Sequence, residues 1–312
     1  MRVLVVSRYK ERLKEKVAPF VAEQVDVLKS RGVEFRLFRV RGKGVKGYLG
    51  QLKSLKEQIK AFNPDLIHAH YGLCGLLACL QGKVPVVVTY HGSDINDPKV
   101  FPFSRIAMRL SAWDIFVSRK IMEKAHPKRN YTLLPCGVGL TDLQLTTRVE
   151  ARRHLGLDQD KRYILFSSAF DNAVKNAPLA IKSIEALGAE EVELLELKGY
   201  TREEVSLLMC ASDALLLTSH TEGSPQVVKE AMACGCPIVS VDVGDVRERV
   251  DGVEGCFVAQ TGNPEELASL LRKALALESR TQGRKKIIAD GLDNEHVAEK
   301  LIEIYGNTIV RR

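Results

Sequence analysis

The feature that most constrains this chain is a repeated alternation of short β-branched runs with helix-length segments. In the first half the expected strands are 2–6, 33–40, 65–68, 84–89, 114–117 and 131–134, with helices at 19–31, 47–62 and 72–81 between them. The run Val84-Pro85-Val86-Val87-Val88 is apolar on both faces. A strand carries that pattern when it is covered from both sides, as in a parallel sheet flanked by helices. The rhythm therefore predicts an α/β fold with a doubly wound parallel sheet.

After Pro135-Cys136-Gly137-Val138-Gly139 the rhythm breaks into a polar stretch, then restarts with strands expected at 163–168, 192–197, 214–218, 237–241 and 255–258. Helices are expected at 176–187, 201–211, 225–234 and 264–277. A last amphipathic helix, about 294–306, carries Val297, Leu301, Ile302 and Tyr305 at helical spacing. A chain of 312 residues suits two cores, because single cores stop growing near about 250–300 residues. The expected architecture is two Rossmann-like, doubly wound domains facing a central cleft. Their bounds are 1–140 and 162–293, with a linker at 141–161 and a terminal helix, 294–312, packing back on the first domain.

Composition narrows the function. No stretch approaches the ~20 apolar residues of a membrane span, and the opening Met1-Arg2-Val3-Leu4-Val5-Val6-Ser7 reads as a strand, not a signal-peptide core. The expected location is the cytoplasm. Seven cysteines lie scattered without a C-x-x-C pair, and the histidines show no H-E-x-x-H spacing, so no disulfide framework or metal site is expected. The net charge of +7 is unevenly placed: residues 1–60 hold 16 Lys/Arg against 6 Asp/Glu. Such a segment suits an anionic membrane face or a phosphorylated acceptor, or it is a solvated helical surface. No RNP or helix-turn-helix pattern accompanies it, which argues against nucleic acid.

The chemistry concentrates at 218–230, Thr-Ser-His-Thr-Glu-Gly-Ser-Pro-Gln-Val-Val-Lys-Glu. The apolar run Ala214-Leu215-Leu216-Leu217 leads into a polar loop, and Pro225 suits the first turn of a helix. Backbone amides of Gly223 and Ser224 together with the positive helix end suit a diphosphate. Glu222 and Glu230, roughly 12 Å apart if the interval were helical, do not suit phosphate. They suit vicinal hydroxyls, to which a carboxylate makes charge-assisted hydrogen bonds. A nucleotide sugar carries hydroxyls on both sides of its diphosphate.

Glu222 and Glu230, followed by Ala231-Met232-Ala233-Cys234-Gly235-Cys236-Pro237-Ile238-Val239 and Val243-Gly244-Asp245-Val246, resemble the paired-glutamate motif of retaining family-4 glycosyltransferases of the GT-B fold. With His91-Gly92-Ser93-Asp94, the chain is similar to the teichuronic-acid branch serving cell-envelope polysaccharide assembly. The resemblance covers nearly the whole chain. It implies hexosyl transfer from a nucleotide sugar, a UDP-sugar by expectation, to a saccharide or polyprenyl-linked acceptor; the basic first segment adds an expected peripheral contact with the inner face of the plasma membrane. It implies that Glu222 holds the hexose and Glu230 the ribose. By the same resemblance Gly223, Ser224 and Pro225 line the diphosphate, and Lys198, Gly199 and Tyr200 belong to the donor site. Lys175 would neutralise the leaving diphosphate, and His91 would face the donor sugar with Asp94 nearby. His68 and His70 share one strand face, and His70 is an acceptor candidate.

Two departures from the family pattern stand out. The family has an arginine shortly before the diphosphate lysine, where this chain has Ser167-Ser168-Ala169-Phe170. It also has a Gly-Gly turn after the first strand, replaced here by Arg8-Tyr9-Lys10-Glu11-Arg12-Leu13-Lys14-Glu15-Lys16, which makes Arg8 and Lys10 candidates for the second phosphate cation. The only D-x-D triplet, Asp158-Gln159-Asp160, falls in the polar stretch, so no metal and no other cofactor is expected. A nucleotide-sugar epimerase of the same fold and a non-catalytic nucleotide-sugar-binding partner are the alternatives.

Overall fold

The computed structural model describes residues 1–310 except 12–16, 43, 142, 144 and 278. The part of the basic first loop from Arg12 to Lys16 thus lies outside the described residues. The elements in order are β1 (Arg2–Arg8), α1 (Pro19–Ser30), β2 (Glu34–Val40), α2 (Gly44–Leu49), α3 (Leu52–Phe62), β3 (Leu66–His70), α4 (Gly72–Cys79), β4 (Val86–Tyr90), α5 (Ser93–Asn96), α6 (Phe101–Leu110), β5 (Trp113–Phe116), α7 (Arg119–Ala125) and β6 (Tyr131–Leu133). They continue with α8 (Arg148–Leu155), β7 (Arg162–Phe166), α9 (Ala177–Leu187), β8 (Val192–Glu196), α10 (Arg202–Ala211), β9 (Ala214–Leu217), α11 (Gln226–Ala233), β10 (Ile238–Ser240), α12 (Val246–Val250), β11 (Cys256–Val258), α13 (Pro264–Leu275), α14 (Gly283–Ala289) and α15 (Asn294–Val310).

These elements form two compact units, one of 1–137 with 294–312, the other of 138–293. In the first, six strands run in the order β2-β1-β3-β4-β5-β6, with every neighbouring pair parallel. Leu4 and Val6 of β1 pack into one apolar cluster and Val3 and Val5 into another, so the sheet is buried on both faces. That is the packing a doubly apolar strand requires. The terminal helix α15 completes the second cluster with Leu301, Ile304 and Tyr305. The Tyr305 hydroxyl and His68 Nδ1 lie 2.6 Å apart, a buried hydrogen bond between α15 and β3.

The other unit holds five parallel strands in the order β11-β10-β9-β7-β8. Leu215 and Leu217 of β9 face one cluster, Ala214 and Leu216 the other. Each sheet reverses its winding once, between β1 and β3 in the first unit and between β7 and β9 in the second. At such a switch point the loops leaving the two strands diverge and open a crevice at their carboxyl ends.

The polar stretch 141–161 is not a free linker. It contains α8, whose amino end is closed by a capping box between Thr147 and Glu150. Arg152 of that helix is buried and bonds Asp213 at 2.7 Å, while Arg148 and Arg162 reach the same carboxylate at 3.0 and 3.2 Å. An arginine-rich helix resembles a solvated connection until its buried acid is known. The helix expected over 47–62 is split in two at Gly50-Gln51, where a glycine weakens helix continuation.

Candidate functional site

In the second unit, the loops that follow the two strands flanking the switch point carry Lys175 and Glu222. After β7 the chain runs through a single turn of 3₁₀ helix, Ala173–Lys175. The Asn172 side chain accepts from Val174 N, and Asn176 takes a left-handed conformation at φ 55°. After β9 the Thr218 hydroxyl donates to the carbonyls of Lys175 and Asn176 at 2.9 and 3.0 Å, and His220 N donates to Val174 O at 2.9 Å. These bonds tie the two switch-point loops together. The outcome is an ion pair of 2.6 Å between Lys175 Nζ and Glu222 Oε1, with side chains 19% and 14% exposed. Ser167 and Ser219, just beyond the same two strands, keep buried hydroxyls with no hydrogen-bond partner among the described residues. Buried hydroxyls of this kind are unusual outside polar sites.

Gly223 and Ser224 lead into α11, with Pro225 as its N-cap and no side chain closing the helix end. Pro225 thus precedes the helix rather than occupying its first turn. The Ser224 hydroxyl donates instead to Asp245 Oδ2 at 2.9 Å, and Arg249 holds the same oxygen at 3.2 Å. Burial raises the Asp245 carboxyl above its ordinary range, opposed by the charges of fully buried Lys229 and of Arg249. Gly244, at φ +54°, lies against this loop: a Cβ there would meet Gly223 O at 2.6 Å. Only glycine allows both that conformation and that approach.

Glu230 is buried on α11 and pairs through Oε1 with an Arg202 guanidinium nitrogen from the start of α10. Arg202, Asp245 and Lys229 were not anticipated from sequence. For Arg202 a local signal existed, the T-x-x-E capping box of Thr201 and Glu204 that places it in the first turn of a helix. Nothing local named its partner, 28 residues away. Lys198 pairs with Asp171 at 2.7 Å on the surface, Gly199 supplies a positive φ of 83°, and Tyr200 is partly exposed. All three lie in the loop between β8 and α10. The Asp158-Gln159-Asp160 triplet forms a turn before β7, closed by Asp160 N donating to Asp158 Oδ1 at 2.9 Å, at the strand end opposite Lys175. Among the described residues no group of three or more His, Cys, Asp or Glu side chains suits a metal ion.

In the first unit the corresponding strand ends bring His70, His91 and Asp94 together. His70 Nδ1 and His91 Nε2 are 3.1 Å apart with stacked rings, and Phe20 and Tyr71 pack on His91. Burial pushes the His70 imidazole down to about 3, so it is neutral. Asp94 accepts from the amides of His91 and Gly92 at 3.0 and 2.9 Å and of Gly72 at 3.1 Å, which holds the His91 loop against the start of α4. Burial pushes its carboxyl up to about 6 against those hydrogen bonds. Arg8 ends β1 exposed, and Lys10 follows two residues later. Burial and the Arg8 charge lower the Lys10 amine.

Two Rossmann-like units with a cation–carboxylate crevice at a switch point define the class: the GT-B glycosyltransferase fold. The pattern described as Glycosyltransferase Family 4 matches residues 2–141, and Glycosyl transferases group 1 matches 171–277. The chain belongs to the family-4 glycosyltransferases. Among its relatives is TuaC of Bacillus subtilis (strain 168), a glycosyltransferase assigned to teichuronic acid biosynthesis, 27% identical over 62% of this chain and 57% of TuaC. A D-inositol 3-phosphate glycosyltransferase of Thermobispora bispora is 25% identical over 68% of this chain and 62% of the relative. The chain thus spans about three fifths of the length of these curated relatives. Among solved structures, sucrose-phosphate synthase from Thermosynechococcus elongatus superposes with a TM-score of 0.83 at 16% identity, covering 100% of both chains. Anabaena HepE in complex with UDP gives 0.75 at 16% identity, covering 98% of this chain and 100% of HepE.

Proposed function

We propose that this chain transfers a hexose from a nucleotide sugar, UDP-linked by analogy with HepE, to a saccharide or polyprenyl-linked acceptor, with retention and without a metal ion. The observation that carries this reading is the 2.6 Å Lys175–Glu222 pair at the β7/β9 switch point. A lysine has three donors, so Lys175 keeps donors for a diphosphate while Glu222 orients it and accepts from a hexose hydroxyl. Glu230 accepts from the ribose, because one bond to Arg202 leaves lone pairs on its carboxylate. Arg202 is the second cation in the same unit as Lys175, a role for which Arg8 and Lys10 were the candidates from sequence. In the reaction the acceptor oxygen bonds to the anomeric carbon on the face that the diphosphate leaves. The anomeric C–O bond breaks and a departing phosphate oxygen takes the acceptor proton. Lys175 and the amino end of α11 stabilise the charge gathering on the leaving group. The protein works at the cytoplasmic face of an anionic membrane as a peripheral protein.

A panel of nucleotide sugars, tested by thermal shift and then by mass and NMR analysis of products with and without acceptors in EDTA, checks this reading. The expected result is an acceptor-dependent product with the donor's anomeric configuration. A sugar isomer formed without acceptor points to an epimerase, binding without product to a non-catalytic partner. Turnover lost in EDTA and restored by Mg²⁺ or Mn²⁺ refutes the charge assignment.

A further inference from the structure

A second concentration of charge lies in the first unit, at the amino ends of β5 and β6 rather than at the carboxyl ends where His91 sits. Between residues 100 and 131 the chain carries seven Lys/Arg against two carboxylates, and five of the seven, all but Arg119 and Lys120 at the start of α7, lie at this end. The carboxyl ends of α6 and α7 converge there on a cavity of about 490 Å³ lined by Arg105, Arg109, Lys124, Lys128 and Arg129, with Asp114 at its base. That volume falls in the range of about 300–1,000 Å³ typical of ligand pockets.

The simplest account of these cations is that they balance the helix ends, since Arg109 and Lys124 stand in last turns. The magnitudes exceed that account. Each helix end is worth about half a negative charge, so two ends and an ionised Asp114 leave roughly three positive charges uncompensated. None of the five cations forms an ion pair within 4 Å among the described residues: Arg129 donates to the Arg109 carbonyl and Lys124 to Asn96 Oδ1 at 3.3 Å. Asp114 is engaged, accepting from Ser111 at 2.7 Å and from the Tyr90 hydroxyl at 3.3 Å.

Next to these cations in the sequence, α6 also exposes aliphatic side chains. On the outer side of α6, Ile106 and Leu110 are 40% and 52% exposed, adjacent to Arg105 and Arg109. Cations alternating with exposed aliphatic side chains on one helical surface are the chemistry of an interfacial helix, in which apolar groups enter the acyl boundary and cations meet headgroup phosphates. A soluble phosphate ester has no use for the aliphatic part. We infer that the α6–α7 cavity binds the phosphate headgroups of anionic lipids and docks the first unit on a membrane surface. This deepens the peripheral contact proposed above. It does not depend on glycosyl transfer, because binding is read without donor.

The test is co-sedimentation of the full chain with vesicles of phosphatidylcholine alone or with phosphatidylglycerol added. Binding is expected only with the anionic lipid, falling as salt rises. A Lys or Arg near an anionic surface contributes about 1 kcal/mol, about fivefold in affinity, so Arg105→Ala with Lys128→Ala should weaken binding about 25-fold. Lys53→Ala with Lys56→Ala, an exposed pair on α3 within the other basic segment, should leave it within about twofold. Ile106→Ser with Leu110→Ser should weaken binding at high salt, where the apolar contribution remains. The inference is overturned if the α3 pair matters as much as the cavity pair. It is equally overturned if both vesicle types bind alike, or if inorganic phosphate stabilises the protein through Arg105 and Lys128 while vesicles do not bind. Thermal melting of each variant separates loss of binding from loss of fold. Donor turnover retained by the cavity variants in detergent-free solution keeps failure here distinct from failure of the transferase reading.

Discussion

Removing the Lys175 ammonium leaves Glu222 facing a mostly desolvated crevice with no opposite charge at 2.6 Å. At an effective dielectric of about 20, two unit charges at this separation attract by roughly 6 kcal/mol before desolvation is subtracted. Breaking a fully buried pair by deleting one partner costs about 3–5 kcal/mol. With both side chains between a tenth and a fifth exposed, we expect about 2–3 kcal/mol for Lys175→Ala, discounted for solvent access. At about 2–4 °C per kcal/mol for a unit of this size, the melting temperature should fall by about 4–12 °C. Lys175→Ala combined with Glu222→Ala removes both charges, so the double variant should be more stable than the summed single effects by about 1–2 kcal/mol. Turnover should not follow stability: both Lys175→Ala proteins should be nearly inactive at a temperature where they remain folded. Urea unfolding of the four proteins supplies the cycle, and initial rates with the donor found above supply the activity. Strict additivity in the cycle refutes the pairing. Wild-type turnover in Lys175→Ala refutes the diphosphate role.

Arg202→Ala should weaken free nucleoside diphosphate about tenfold, with Glu230→Ala weaker still and the two effects non-additive, whereas Glu222→Ala should weaken only the sugar-bearing ligand; calorimetric titration decides, and tighter nucleotide binding by Arg202→Ala would show that it competes with the ribose instead. Burial pushes the Asp114 carboxyl up to about 7, above its unfolded value of about 3.9. The folded first unit therefore holds this proton more tightly, and the contribution of Asp114 to stability is fully present below about pH 4 and is lost as pH rises through about 7. Asp114→Asn should flatten that slope in urea titrations followed by Trp113, the single tryptophan; an unchanged slope would place the proton elsewhere.

Much of the candidate site was legible along the chain. Glu222, Gly223, Ser224, Pro225 and Glu230 fall in one strand–loop–helix stretch whose chemistry is local, and Lys175 and His91 follow strands recognisable from their apolar runs. The partners were not. A lone arginine beginning a helix looks like any exposed one, and only the packing of α10 near α11 puts Arg202 on Glu230. Asp94 was expected beside the substrate, yet its oxygens are taken by three backbone amides that fix the His91 loop.

The alternation of doubly apolar strands with helices was enough to determine two parallel sheets, because a strand without a polar face has few places to lie. The glutamate spacing likewise picked out the loop and helix that hold the candidate residues Glu222 and Glu230. Tertiary structure alone decided which charges meet: Asp213 collects Arg148, Arg152 and Arg162, and Lys175 meets Glu222 across loops 47 residues apart. Apolar periodicity is written in neighbouring residues, whereas an ion pair depends on strand order, and strand order is set by how the whole sheet buries both its faces.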